Sequence, residues 1–222
     1  MPRVSREQTE QNVQTITEVA ARLFREHGLD GIGVADLMAA AGLTHGGFYR
    51  HFDSKEALAA TACRSAYDGA VGRWTARVTR SADASAARVA LVEAYLSDAA
   101  RASPGLSCPT AALAVDVART PAGSAVRDAF CDGNAALMDI LAALQGTGDG
   151  ARDRREALGD FSTMVGALIL ARATRGHPVS DEFLAAGRER LLPGRRPAAS
   201  SRAAPTRRAK RRQPPSPRRV GR

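Results

Sequence analysis

The residues best suited to chemistry lie in one short stretch of the chain, 43–52, which reads L-T-H-G-G-F-Y-R-H-F. The polar side chains that this stretch places on one side of a short predicted helix are Thr44, His45, Tyr49 and Arg50. Hydroxyl, imidazole and guanidinium groups form hydrogen bonds with base edges and phosphates, so this set predicts contact with double-stranded DNA. The alternative for His45 is an ordinary solvated surface histidine.

The flanking residues suit the DNA backbone more than the bases. Arg50 and His51 are expected to reach phosphates. Ser54 is the expected N-cap of the next helix, with Lys55 in its first turn. A helix N-terminus binds phosphate through its free N–H groups, and Lys55 would add a positive charge. These residues predict a second set of DNA contacts beside the base-directed set.

Two adjacent glycines interrupt the polar helix. Gly46 and Gly47 each lower helix stability by roughly 1 kcal/mol. One explanation is that the missing side chains let the backbone approach the floor of a DNA groove, which makes Gly46 a candidate DNA-contacting residue. The other is that Phe48 and Phe52, four residues apart on the opposite side, hold the helix by packing alone.

Two apolar helices are expected to position this stretch. From 6 to about 27, apolar residues recur on one face of an amphipathic helix, which Gly28 ends in a positive-φ conformation. The members of that apolar stripe are Val13, Ile16, Ala20 and Leu23. A second apolar helix follows its expected cap, Gly33, and ends at Gly42, after which Thr44 is expected to cap the polar helix.

The run A-A-G-L-T-H-G-G-F-Y-R-H-F-D-S-K-E-A-L at 40–58 resembles the DNA-binding signature of the TetR/AcrR family of one-component transcriptional regulators. The match fixes a glycine, an F-Y-x-H-F block and an S-K-E helix start in one register, and it extends back through A-A-R-L-F-R-E-H-G-L-D-G-I at 20–32. The resemblance implies a helix-turn-helix in which Thr44 and His45 contact bases. Beyond residue 60 it is a resemblance of layout only.

The bulk composition is that of an ordinary globular protein. The 222 residues are 44% apolar and 25% charged, with no apolar run long enough for a membrane span and no signal-peptide pattern, so we expect a cytoplasmic protein. Three cysteines without CxxC spacing argue against a disulfide framework and a zinc site. No catalytic motif is present, and we expect no enzyme activity, no cofactor and no metal.

The formal charge is distributed unevenly. Residues 193–222 carry eleven of the positive charges and no acid, so the first 192 residues have a net charge of −2 while the whole chain has +9. Proline, alanine, serine and arginine leave this tail nothing to bury, which predicts a disordered basic segment. We expect it to add non-specific DNA affinity, and the alternative is a solvated appendage without a role.

Apolar periodicity after the polar helix predicts six more helices, at about 54–79, 84–102, 110–118, 122–144, 152–175 and 180–192. The apolar row of the 152–175 helix breaks at Arg172, so its last turn is expected to reach solvent. By family layout, the final two helices pair with their copies in a second subunit, which predicts a homodimer.

These patterns predict an all-α fold of about nine helices in three parts. The parts are an N-terminal three-helix helix-turn-helix domain at 1–53, a larger helical domain for effector binding and dimerisation at 54–192, and the basic tail at 193–222. The few aromatic and thiol side chains of the second part are the candidates for an effector pocket, namely Trp74, Tyr95, Cys108, Phe130 and Phe161.

The expected function is a ligand-responsive regulator, most readily a repressor that binds a palindromic operator as a homodimer and is released by a small-molecule effector. One alternative is a thiol-responsive regulator. Cys108 precedes a helix that starts with Pro109, a placement that lowers a thiol pKa, although a buried free cysteine is usually a small hydrophobe. Another alternative is an architectural DNA-binding protein that uses its basic tail.

Overall fold

The computed structural model describes residues 6–192, so the predicted basic tail lies outside the described residues. Within this range the chain is entirely helical, with no strand. Its α-helices are α1 (Arg6–His27), α2 (Val34–Ala40), α3 (Lys55–Arg80), α4 (Ala84–Tyr95), α5 (Asp98–Ala102), α6 (Pro109–Arg119), α7 (Ala125–Ala143), α8 (Gly150–Ala173) and α9 (Val179–Leu191). Two 3₁₀ helices, His45–Arg50 and Pro104–Leu106, complete the set, and the predicted all-α fold is confirmed.

The N-terminal helices form as their sequence pattern predicts. Ile16, Ala20 and Leu23 are buried along α1, which ends at Gly28 with φ of 82°. Gly42 ends the turn after α2 with φ of 72°. Both positions need glycine because other residues rarely adopt a positive φ. The turn geometry that links the first three helices is therefore fixed by two residues.

The long helix α3 packs against both halves of the described chain. It packs against α1 in the N-terminal part and against α7 in the larger part. The crossing is close, because a Cβ added to Gly133 of α7 would lie 2.1 Å from the ring of Tyr67 on α3. A glycine at this position lets the two backbones approach each other.

Three polar side chains, from buried Tyr67 and Thr110 and half-buried Asn134, join α3, α6 and α7 at this crossing. The Tyr67 and Thr110 hydroxyls lie 3.0 Å apart, Asn134 Nδ2 donates to the Tyr67 oxygen at 2.9 Å, and Thr110 Oγ1 donates to Asn134 Oδ1 at 2.7 Å. Burial raises the pKa of Tyr67, a shift that the hydrogen bond to Thr110 opposes. A closed set of hydrogen bonds fixes the relative register of the three helices.

The expectation of one helix over 84–102 is wrong, because the chain breaks between α4 and α5. Leu96 is fully buried at the break, and the Ser97 hydroxyl accepts a hydrogen bond from the Ala100 N–H at 3.1 Å. Arg188 of α9 donates to the Leu96 carbonyl, which supplies a partner for a backbone group that the break leaves free. Two helices therefore occupy the stretch in which periodicity alone predicted one.

Two helix starts also differ from the prediction. The helix expected from Ala122 begins at Ala125, because Gly123 adopts φ of 74° and Arg127 donates to carbonyls of the preceding turn. The helix expected from Arg152 begins at Gly150, because Asp149 accepts from two N–H groups of the first turn, at 2.9 and 3.1 Å. Side-chain contacts with the backbone decided both starts.

The expectation that the turn at Arg172 reaches solvent holds for Leu170 and Ala173, which are exposed, but not for Arg172 itself. The Arg172 guanidinium points inward and donates to the Ala100 carbonyl at 2.8 Å and to the Ser107 hydroxyl. Burial lowers the pKa of Arg172, an effect that the Tyr95 hydroxyl opposes. Five donors on one side chain let Arg172 tie the 100–107 segment to α8.

Candidate DNA interface and effector cavity

The helix His45–Arg50 is anchored by one aromatic side chain. Phe48 is 0% exposed, stacks on Phe52 with ring centroids 5.9 Å apart, and accepts backbone hydrogen bonds from the N–H groups of His51 and Phe52. The helix is 3₁₀ throughout and ends before Phe52, which lies in the following loop. Thr44 occupies the N-cap position, but its side chain makes no capping hydrogen bond.

The opposite side of this helix is open to solvent. Tyr49 is 69% exposed, and its ring contacts Phe48 edge-on at 5.2 Å, so packing orients the ring while the hydroxyl stays free. The other exposed positions of the predicted DNA-contacting set are Thr44, His45, Gly46 and Arg50. We call these five residues the reading face. They come together through adjacency in the chain, on a helix held from behind by Phe48.

Two members of the predicted DNA-contacting set, His51 and Lys55, lie outside the reading face. His51 follows the helix and is half-buried, and its Nδ1 is enclosed without a hydrogen-bond partner among residues 6–192. Lys55 lies in the first turn of α3, where the Ser54 hydroxyl accepts from the Ala57 N–H at 3.1 Å. Lys55 therefore stands at a capped helix N-terminus beside the reading face, a placement suited to a phosphate.

The structure adds α1 to this region, which sequence reasoning missed. Thr9 and Asn12 line a cleft together with Thr44, Gly47 and Arg50. The periodicity of α1 identified its buried stripe but did not indicate which polar residues face the next helix. Their proximity to the reading face makes them further candidates for contact with DNA.

The larger cavity lies in the second part of the described chain and has a volume of about 320 Å³. It is bounded by α3, α4, the 97–108 segment, α7 and α8. The apolar side chains that line it include Ala70, Trp74, Leu91, Leu106, Leu137 and Leu168. A mostly apolar cavity of this volume is at the lower end of the range for small-molecule sites.

Of the five predicted effector-pocket residues, the structure places three on the cavity wall: Trp74, Tyr95 and Cys108. Phe161 lies behind them, edge-on to Trp74 at 6.2 Å and to Tyr95 at 6.5 Å. Phe130 does not line the cavity, and its ring packs edge-on against Tyr67 with centroids 5.8 Å apart. Sequence reasoning selected aromatic residues, and it missed the arginines of the lining.

Those arginines are Arg73 and Arg77, one turn apart on α3. The signal that could have found them is their spacing with Trp74 and Ala70, because residues three and four apart share a helix face. Partial burial lowers the pKa of Arg73, the Cys108 thiol opposes that decrease, and the charge of Arg77 adds to it. The cavity is therefore apolar inside and positively charged along one edge.

Cys108 and Tyr95 bring two polar groups into the apolar interior. Cys108 is buried and precedes the first residue of α6, Pro109, as the sequence predicted. The Tyr95 hydroxyl is buried and has no hydrogen-bond partner among the described residues, although the Cys108 thiol lies beside it. Burial, and then Cys108, raise the pKa of Tyr95, so the hydroxyl stays protonated and available as a donor.

Direct contacts join the cavity segment to the N-terminal helices. Arg25 of α1 donates to the Ser107 carbonyl at 3.1 Å, and the Leu29 N–H donates to Asp116 Oδ2 of α6 at 3.1 Å. Burial is the main reason that the pKa of Arg25 is lowered to about 10, and the charge of Arg73 contributes. A change at the cavity wall therefore has a short physical route to α1.

The described residues give no indication of a metal centre or a membrane span. Residues 6–192 contain no group of three or more histidine, cysteine or acidic side chains placed to hold a metal ion. None of the helices in this range is both long and apolar enough to cross a bilayer.

The chain is similar in sequence to known transcriptional regulators. Residues 16–62 match the family model for bacterial regulatory proteins of the tetR family. The HTH-type transcriptional repressor KstR2 of Rhodococcus jostii (strain RHA1) is 38% identical over 77 residues, which is 35% of this chain and only 38% of that repressor. The HTH-type transcriptional repressor DhaR of Mycobacterium sp. (strain GP1) is 27% identical over 187 residues, covering 81% of this chain and 92% of that repressor.

Structural comparison extends the likeness to most of the chain. A TetR transcriptional regulator from Chloroflexus aurantiacus J-10-FL superposes with a TM-score of 0.69 and 26% identity, over 83% of this chain and 94% of that structure. The family match covers the reading face, and the structural match adds the larger helical part behind it. Residues 16–62 are therefore a TetR-family DNA-binding domain, and the chain shares the fold of a TetR transcriptional regulator over most of its length.

Proposed function

We propose that the chain is a ligand-responsive repressor that binds a palindromic DNA operator as a homodimer and is released when a small molecule enters the 320 Å³ cavity. The observation that carries the proposal is the helix α3, which begins beside the reading face and lines the cavity with its second half. One continuous helix of 26 residues, about 39 Å long, links the two sites.

The reading face supplies the DNA contacts in this proposal. Thr44, His45 and Tyr49 are exposed and aligned on a helix that Phe48 fixes from behind. In a major groove such side chains reach base edges, while Arg50 and Lys55 contact phosphates. A homodimer would present two reading faces to half-sites centred about 34 Å apart.

The helices α8 and α9 supply the dimer contact in this proposal. They pack against each other, and their outer side carries apolar residues that the single chain leaves accessible. Leu158 and Leu170 of α8 are 43% and 45% exposed, and Val165, Ile169 and Phe183 are half-buried. A C₂ pairing would bury this surface against its own copy.

Release follows from the geometry of α3 and the 104–108 segment. A molecule in the cavity would contact Trp74 and Arg77 on α3 and press against Ser107, whose carbonyl is held by Arg25 of α1. Tilting α3 would change the distance between the two reading faces, and the operator fits only one distance. The effector binds better to the tilted state and so lowers DNA affinity.

The test begins with selection of duplexes from a random pool by the full chain, followed by light scattering of the protein alone. We expect a dimer and a palindromic consensus. His45→Ala and Tyr49→Ala should each lose about 1–3 kcal/mol of discrimination at one position of each half-site, because a base-directed contact is removed. Thr79→Ala, an exposed change on α3, is the matched control and should leave the consensus unchanged. A monomer, or a Tyr49→Ala protein with the parent consensus, would contradict the proposal.

A further inference from the structure

The charge of the cavity lining is one-sided. Among the residues that line it, Arg73 and Arg77 carry positive charge, and no aspartate or glutamate is present. Arg73 is exposed and Arg77 is half-buried, which places the pair where the cavity opens to solvent. Because the two residues are four positions apart on α3, both side chains project from the same side of the helix.

Neither arginine of this pair has a side-chain partner in the part of the chain that the structure describes. Within residues 6–192, Arg73 and Arg77 form no side-chain hydrogen bond and no ion pair. Other arginines of the same bundle are paired, such as Arg88 with Asp160 at 2.7 Å and Arg101 with Asp181 at 2.6 Å. Two unpaired guanidinium groups side by side repel each other, and an anion between them removes that repulsion.

The remaining arginines near the cavity are already occupied. Arg25 donates to the Ser107 carbonyl and Arg172 donates to the Ser107 hydroxyl, so both hold the 104–108 segment. Their charges add to a positive potential around the cavity, but Arg25 Nη1 and Arg172 Nη2 already donate to the protein, and the unpaired Nε of Arg172 is buried away from the cavity opening. An entering anion would therefore be bound by Arg73 and Arg77.

The interior specifies the rest of the ligand. Trp74, Leu91, Leu137 and Leu168 form an apolar wall, and the volume of about 320 Å³ suits a molecule with one or two rings. Inside this wall lies Tyr95, a residue that is 6% exposed, and its buried hydroxyl has no hydrogen-bond partner among the described residues. An unpaired buried donor is unfavourable, and a ligand acceptor atom would satisfy it.

We propose that the effector is a small organic acid with an apolar, ring-containing body, whose carboxylate is bound by Arg73 and Arg77 at the mouth of the cavity. The body fills the space beside Trp74, and a hydrogen-bond acceptor on it reaches the Tyr95 hydroxyl. This inference names the effector class and so rests on the proposed function, but its test needs no DNA.

The chain contains one tryptophan, Trp74, and it lines the cavity. Quenching of its fluorescence therefore reports occupancy directly. The probes are 4-phenylbutanoate, its neutral amide and 4-phenylbutylammonium, which differ in charge and share the same body. In the full chain we expect the acid to bind at least ten-fold more tightly than the amide, and the ammonium compound to bind more weakly than both.

Variants that remove equal numbers of positive charges distinguish binding by Arg73 and Arg77 from a general effect of the protein's charge. Arg73→Gln/Arg77→Gln should bind acid and amide alike, while Arg73→Lys/Arg77→Lys should keep most of the preference for the acid. The control Arg80→Gln/Arg119→Gln removes two exposed arginines that do not line the cavity and should keep the full preference. Thermal unfolding of each variant checks that it is folded. We expect little change in stability, because the substituted side chains are partly exposed and have no partner among the described residues.

The outcomes distinguish the inference from the function on which it rests. Equal binding of acid and amide, no quenching by millimolar acid, or a preference that survives in the double glutamine variant would each overturn the inference. In those cases operator binding by the same protein would leave the proposed function standing. Failure to select any operator would overturn the function while the fluorescence preference remained measurable.

Discussion

The reading face is built from residues that are adjacent in the chain, whereas the cavity is built from residues that are far apart in it. The reading face consists of five residues between Thr44 and Arg50, held by Phe48 within the same turn. The cavity draws its wall from five separate segments between Ala70 and Leu168. A local site needs only one well-packed side chain to be positioned, whereas a dispersed site depends on how closely distant helices approach.

That difference predicts where each site is vulnerable. The reading face should be lost when its single anchor is removed, with the cavity left intact. The cavity should be lost when a helix crossing is widened, with the reading face left locally intact. Three sets of variants test this contrast, taken in order of decreasing effect.

The largest effect is expected from Phe48→Ala. Removing a fully buried ring beside Phe52 should destabilise the reading region by about 3–5 kcal/mol, as core Phe-to-Ala changes do. Hydrogen exchange of the amides at 34–53 measures this loss. Tyr49→Ala is the neighbouring control, since its side chain is 69% exposed and its removal should leave the same amides protected. Equal loss of protection in both variants would show that the anchor is shared.

The next effect is expected from Gly133→Ala at the crossing of α3 and α7. The added methyl group would lie 2.1 Å from the Tyr67 ring, which is held by two hydrogen bonds and cannot turn away. We expect a loss of about 1–3 kcal/mol or more in the free energy of unfolding, with weaker quenching of Trp74 by a bound ligand.

The matched control for this crossing is Gly72→Ala on α3. A Cβ there meets nothing within 4 Å, and glycine in a helix interior is less favourable than alanine by about 0.5–1 kcal/mol. The control should therefore stabilise the protein. Destabilisation of similar size at both positions would indicate that α3 and α7 tolerate no glycine-to-alanine substitution. The close approach at Gly133 would then not explain the effect.

The smallest effect concerns Cys63, where α3 passes close to α1. Burial raises the pKa of this thiol to about 12, against the lowering influence of Arg64 and Arg25. In the unfolded chain the thiol ionises from about pH 8.5, while in the folded protein it stays protonated. Its stabilising contribution is therefore complete below that pH and is lost as the pH rises toward about 12.

A urea unfolding series measures this contribution. Between about pH 8 and pH 10 the parent should lose about 2 kcal/mol more stability than Cys63→Ala, which has no thiol to ionise. Cys131→Ala is the control, because Cys131 is exposed and should show the slope of the parent. Identical slopes in parent and Cys63→Ala would mean that the thiol is hydrated and ionises normally in the folded protein.

Short-range features of the chain could be predicted from the sequence. The span of α1, the positive φ of Gly28 and Gly42, and the cap at Ser54 all follow from residues within a few positions of each other. The burial of Phe48 beside an exposed Tyr49 follows from helical periodicity in the same way. These predictions hold because a turn, a cap or an amphipathic face is determined by its neighbours in the chain.

The break at Ser97, the inward turn of Arg172 and the cavity position of Arg73 were decided by the tertiary structure. Arg188 bonds the carbonyl before the break from 92 residues away, and Arg172 bonds Ser107 from 65 residues away. No local pattern specifies such a partner. The sequence around an arginine on a half-apolar helix face is the same whether its side chain contacts solvent, a carbonyl or a ligand. The sequence alone thus determined the reading face, whereas the packing of distant helices determined which side chains line the cavity and which of its arginines remain unpaired among the described residues.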